Sequence, residues 1–265
     1  MTSKYSQPPL RGLTASSIDA SKLEPKAVYG SLFLRLVLFA FFQICIGVIL
    51  GIFKQGDLRD AAGYWLISAT LTNLVTIYWI IVQLKKEGIR YFDVFRFYPG
   101  QVKKDLLILL GVLLISGPVA FLPNTEGAKL IFGNAQVATE LLITPIPLWA
   151  AWIGLILFPI TIAFAEVPLY FGYIKPRMEV LTKKTWLAIA LPVFFLALQH
   201  CTLPLILDGR FILWRLIMFL PFALLLGLVL HWRPRLMPYI MVIHAIMDFA
   251  TAYMVLSVSM GNPLY

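Results

Sequence analysis

The chain reads as an all-α protein, a polytopic membrane helix bundle of about seven transmembrane helices. Three observations predict this class. Of 265 residues, 60% are hydrophobic and only 13% are charged, at a mean hydropathy of +0.84, whereas soluble domains carry about 25% charged residues. Seven apolar runs reach or approach the roughly 20 residues a helix needs to cross a bilayer. Lys and Arg also cluster in alternate connecting segments.

Residues 1–30 are rich in Ser, Pro, Lys and Thr and lack apolar periodicity, so they read as a disordered cytosolic tail. The first apolar run begins near Ser31 and is too long and too far in for a removable signal. Helices are expected near 31–53, 65–84, 106–122, 147–173, 186–206, 211–230 and 237–258. The third is the shortest. The polar segment 123–146, with an apolar patch at Leu130–Phe132, has room for a re-entrant or short eighth helix. The fourth span carries Pro159 and Pro168, which predict a tilt or break.

Of the 22 Lys and Arg, 16 fall in the tail and in the segments after spans two, four and six, and four fall in the alternate segments. The positive-inside rule then places the N-terminus in the cytoplasm and the C-terminus outside, the expected membrane being the plasma membrane of a prokaryote. Arg35 and Arg215 fall inside spans about one turn from the expected helix ends, where long cations snorkel to the interface. The net charge of +9 therefore reports topology and lipid affinity. No soluble basic module for nucleic acid is apparent. Cys45 and Cys201 lie in apolar runs and offer neither a disulfide framework nor a metal-binding spacing.

Four ionisable residues stand where apolar ones are expected: Glu166, His200, His244 and Asp248. A carboxylate at the centre of a membrane helix costs about 2.5 to 3.5 kcal/mol on insertion scales, and such groups by default mark functional sites. A carboxylate with an imidazole can activate water. His244 and Asp248, four apart, share a helix face, which suits tautomer control, metal binding or oxyanion stabilisation. Pro168 has no N–H, so the carbonyl of Phe164 requires a water or a side-chain donor. Tyr170, Tyr173 and Trp186 read as interfacial anchors. Measured from the basic ends of their spans, Glu166 and His244 lie about nine residues deep and His200 about sixteen, a mismatch of roughly 10 Å. Convergence of the set requires the fifth span to tilt or to start deeper.

These residues, in this order, resemble the CPBP family, the CAAX protease and bacteriocin-processing proteins. Its pattern is a Glu-Glu-x-x-x-Arg helix, a later helix ending in Phe-x-x-x-His and a final His-x-x-x-Asn/Asp helix. The counterparts are Glu166-Val167-Pro168-Leu169-Tyr170-Phe171-Gly172-Tyr173, Leu196-Ala197-Leu198-Gln199-His200 and His244-Ala245-Ile246-Met247-Asp248. The match covers about residues 145–258, within a bundle spanning 31–265. Val167, Phe171 and Leu196 depart from the pattern.

The resemblance implies an intramembrane endopeptidase. Glu166 and His200 would activate the attacking water, while His244 and Asp248 would form the oxyanion site. An ionised Asp248 would repel an oxyanion, so it must be protonated or orient His244. The implied substrate is a membrane-associated peptide or protein, lipidated in some members of the family. The implied mechanism is glutamate-type, without a cofactor. The residue types alone also permit zinc held by Glu166, His200 and His244, although no His-Glu-x-x-His helix is present. Two further readings stay open. One is a catalytically impaired membrane scaffold or bacteriocin-immunity-type protein, favoured by Val167 and Phe171. The other is a proton-coupled transporter, disfavoured by the lack of an inverted repeat.

Overall fold

The computed structural model describes residues 12–263. It is an all-α membrane helix bundle with no strand among the described residues. The helices are α1 (Pro25–Ile52), α2 (Trp65–Lys86), α3 (Val102–Phe132), α4 (Ala135–Leu142), α5 (Leu148–Val167), α6 (Lys175–Thr182), α7 (Thr185–Gln199), α8 (Gly209–Trp232) and α9 (Met237–Ser259). Six helical segments are long and apolar enough to span a membrane, and the apolar α7 has only 15 residues. Packing runs in the order α9, α5, α2, α1, α7, α8, α3. Outward faces carry large exposed apolar residues such as Val37, Val48, Leu107, Leu114 and Ile160, as a lipid-facing surface requires.

Several boundaries differ from expectation. Residues 1–11 of the expected tail lie outside the described residues. Residues 12–24 form two 3-10 turns, and α1 begins at Pro25, a residue suited to a first helical position. Leu13 is buried, and Arg177 donates to the Gly12 carbonyl at 3.3 Å, so this segment packs onto the basic end of the bundle. The third helix runs on through Pro118 and Pro123 to a left-handed cap at Gly133, absorbing half of the segment expected to be polar. The short helix expected in 123–146 is α4.

The fourth span is bent rather than broken. Pro168 opens a π-helical stretch, Pro168–Ile174, that joins α5 to α6. The carbonyl of Phe164, left without its helical donor, accepts the hydroxyl of Tyr91. Lys175 and Arg177 are buried, so the basic boundary of this span is the turn at Lys183, which adopts φ 54°. Glu166 is thus seventeen positions from Lys183, and His200 is sixteen from Lys184. The expected depth mismatch vanishes because the fourth span is longer than its first cation suggests.

Gly172 sets the level of α9. A Cβ on Gly172 would lie 2.8 Å from Val94 Cγ1 and 3.4 Å from Met237 Sδ. The first residue of α9 therefore lies beside Gly172. His244 follows Met237 by seven positions and Glu166 precedes Gly172 by six, which brings both to the same depth.

Gly172→Ala should lower stability by about 1 to 3 kcal/mol through overpacking. Gly30→Ala, where a Cβ meets nothing within 4 Å, should be neutral or stabilising by up to about 1 kcal/mol. Thermal unfolding of both variants in one detergent checks the contrast.

Candidate active site

Glu166 is the penultimate residue of α5, two positions before the π-helical stretch, a kind of distortion frequent at functional sites. Its side chain is buried and meets groups from three other helices, α1, α7 and α9. Gln199 Nε2 donates to Oε2 at 2.6 Å, and Arg35 Nη2 reaches Oε2 at 3.4 Å. His200 Nε2 lies 3.8 Å from Oε2, and His244 Nε2 lies 3.6 Å from Oε1. Asp248 Oδ2 is 3.0 Å from the same His244 nitrogen. All four residues singled out in the sequence belong to one cluster.

The cluster also contains residues the sequence reading assigned elsewhere. Arg35 was expected to snorkel. Because α1 starts at Pro25, Arg35 sits ten residues in, about 15 Å along the helix, too deep to reach the interface. It is fully buried, and its guanidinium is shared among Glu166, Gln199 Oε1 at 2.6 Å and Asn73 Oδ1 at 2.8 Å. Asn73 in turn donates to Thr161 Oγ1 at 3.1 Å. Tyr170, read as an interfacial anchor, is buried with its hydroxyl 3.3 Å from Gln199 Oε1. The available signal was the one already used for Glu166: Arg35, Asn73 and Gln199 are also polar residues within apolar runs.

The hydrogen bonds define chemical roles. His200 Nδ1 lies 2.8 Å from the Leu196 carbonyl, and a carbonyl takes only a donor, so the proton of a neutral ring sits on Nδ1. Nε2 then presents a lone pair toward Glu166 Oε2. Two acceptors 3.8 Å apart suit a water that donates to both. His244 differs. Its Nε2 faces two carboxylates, while its Nδ1 is buried without a partner. The 3.0 Å approach of Asp248 Oδ2 also lacks hydrogen-bond alignment. Asp248 thus contacts the ring nitrogen nearer Glu166, not the far nitrogen that a triad-type orienting carboxylate would hold.

Val167 and Phe171, at the two departures from the Glu-Glu-x-x-x-Arg pattern, are buried in the apolar core. The side chains of His244 and Asp248 are each 20% exposed, against 4% for Glu166. The cluster is therefore reached from the α9 side. A narrow cavity of about 40 Å³ abuts His244 there, between α3, α8 and α9. A larger cavity of about 820 Å³ lies among the connecting loops at the opposite end from the basic residues and contains none of the cluster.

Among the described residues, no group of three or more His, Cys, Asp and Glu is arranged to hold a metal ion. No protein-family model matches the chain, and neither does any curated protein or solved structure.

Arg35→Met should destabilise the protein by about 3 to 5 kcal/mol, because it leaves the Glu166 carboxylate buried without a cation. Adding Glu166→Gln should recover part of that loss. Chemical unfolding of the single and double variants measures the coupling.

Proposed function

We propose that the chain is an intramembrane peptide hydrolase of the CAAX protease and bacteriocin-processing type. The observation that carries this reading is the meeting of Glu166, His200 and His244 in one buried cluster, with both Nε2 atoms within 3.8 Å of the carboxylate. A water between Glu166 Oε2 and His200 Nε2 gives a proton to that pair as its oxygen attacks a scissile carbonyl, and the pair returns that proton to the amine nitrogen as the C–N bond breaks. Arg35 and Gln199 hold the carboxylate in place throughout. The oxyanion then needs a donor, and His244 supplies one from Nδ1, which has no other partner, when its ring carries both protons and Nε2–H faces the two carboxylates. Asp248, 3.0 Å from Nε2, acts as a counter-charge to His244 rather than as a hydrogen-bonded orienting group. The substrate in this reading is a peptide segment at or in the bilayer.

A second reading is favoured by one contact. Gln199 and Arg35 both engage Oε2, and a carboxylate so well satisfied is a weaker base. On this reading the chain binds a membrane peptide without turning it over, as a scaffold or immunity-type factor would.

Glu166→Gln should reduce cleavage of a membrane peptide library by at least about 100-fold, the low end for loss of a general base, with the helical content unchanged. Activity should survive a strong chelator. Wild-type protein that binds peptides from the library but releases no product favours the second reading. Activity lost to the chelator and restored by zinc excludes the metal-free mechanism.

A further inference from the structure

Arg215 is a further buried cation, 5% exposed, and it does not resemble the others. Arg35 pairs with Glu166, and Arg177 pairs with Glu87 at 2.7 Å. Among the described residues, Arg215 has no carboxylate within ion-pair distance. Its Nε donates to the His200 carbonyl at 3.0 Å and its Nη2 to the Leu203 carbonyl at 2.8 Å. Its Nη1 reaches only the Met218 sulfur, at 3.8 Å, and burying a cation in a membrane protein on neutral acceptors alone is costly. A simple helix end would be satisfied by a neutral donor.

The guanidinium carbon also lies 4.7 Å from the ring centre of Phe219 on the same helix. The Phe219 ring stacks on the His200 imidazole, with centres 3.5 Å apart and planes inclined by 13°. His200 is thus held at three points: by Arg215 at its own carbonyl, by Phe219 across its ring face and by Leu196 at Nδ1. Two of the three come from α8, which contributes nothing else to the cluster. The ring is left with one free edge, Nε2, and that edge faces Glu166.

We propose that Arg215, with Phe219, is a positioning residue. It fixes the backbone and ring plane of His200 so that a neutral imidazole with its proton on Nδ1 presents Nε2 to Glu166. This deepens the hydrolase reading and rests on it for its catalytic meaning, but the positioning is measurable without any activity.

The chain has three histidines, so ¹⁵N labelling of histidine in the full-length protein, in bicelles, gives three ring spectra assignable by single substitution. His200 in the wild type should show two distinct ring nitrogens, protonated Nδ1 and bare Nε2. In Arg215→Gln these should merge toward one exchange-averaged signal, while His244 stays as it was. Arg215→Lys, which keeps the positive charge that Arg215→Gln removes, should restore the split in part. Phe219→Leu leaves the Arg215 bonds in place and should also average the His200 signals, so it keeps the idea testable if Arg215→Gln does not fold. Unchanged His200 signals in folded Arg215→Gln, or in Phe219→Leu, would overturn the proposal. If the protein cleaves peptides, Arg215→Gln should lower kcat by about 100-fold, the penalty typical of a misplaced catalytic group, with KM little changed. Failure to find cleavage would count against the hydrolase reading and leave the NMR result standing.

Discussion

The contact between Arg35 and Glu166 is the constraint around which the bundle is arranged. A carboxylate at this depth survives only with a cation and hydrogen-bond donors beside it. The chain draws these from α1 and α7, and draws from α2 the Asn73 that steadies the cation. One buried charge thus ties together α1, α2, α5 and α7 at a single level. In a bilayer, where apolar surface gains little by moving from lipid to protein, polar contacts of this kind do much to specify which helices meet. The price of burying the charge is recovered as specificity of assembly.

Depth is the second ordering principle. Glu166, His200 and His244 lie on segments of different length and direction, and they meet because three local features set the levels. The π-helical stretch carries the fourth span past Lys175 to Lys183. The missing side chain of Gly172 lets α9 begin beside it. Tyr91 caps the Phe164 carbonyl exposed by Pro168, two residues before Glu166. Each feature is local in sequence, yet each acts by moving a distant side chain along the membrane normal.

The helical class and the four ionisable residues of the cluster were legible because membrane helices tolerate so few polar groups that each one stands out. The need for a donor at the Phe164 carbonyl was legible for a similar reason, since proline removes one defined hydrogen bond. Hydropathy reports where apolar residues are, not where a helix begins, so α1 was placed six residues late. That shift turned Arg35 from a central residue into an apparent interfacial one. Lys175 misled in the converse way: a cation in the sequence looks like a boundary, but this one folds back against Glu179 at 3.7 Å and is buried. The role of Arg215 was hidden because backbone carbonyls, its partners, carry no signature in the sequence.

The shortness of α7 has a consequence for the surrounding lipid. Its 15 residues span about 22 Å at the helical rise, against a hydrocarbon core about 30 Å thick. Beyond it, residues 200–208 form an irregular segment whose carbonyls are bonded by Arg215 and Gln43 rather than by a helix. This segment, not lipid alone, makes up the remaining thickness beside α7; any mismatch left over costs a fraction of a kcal/mol per ångström. The His200 end of this span is thus held by side-chain hydrogen bonds where a longer helix would have used its own backbone, and it is the stretch of the wall that a change in bilayer thickness would load first.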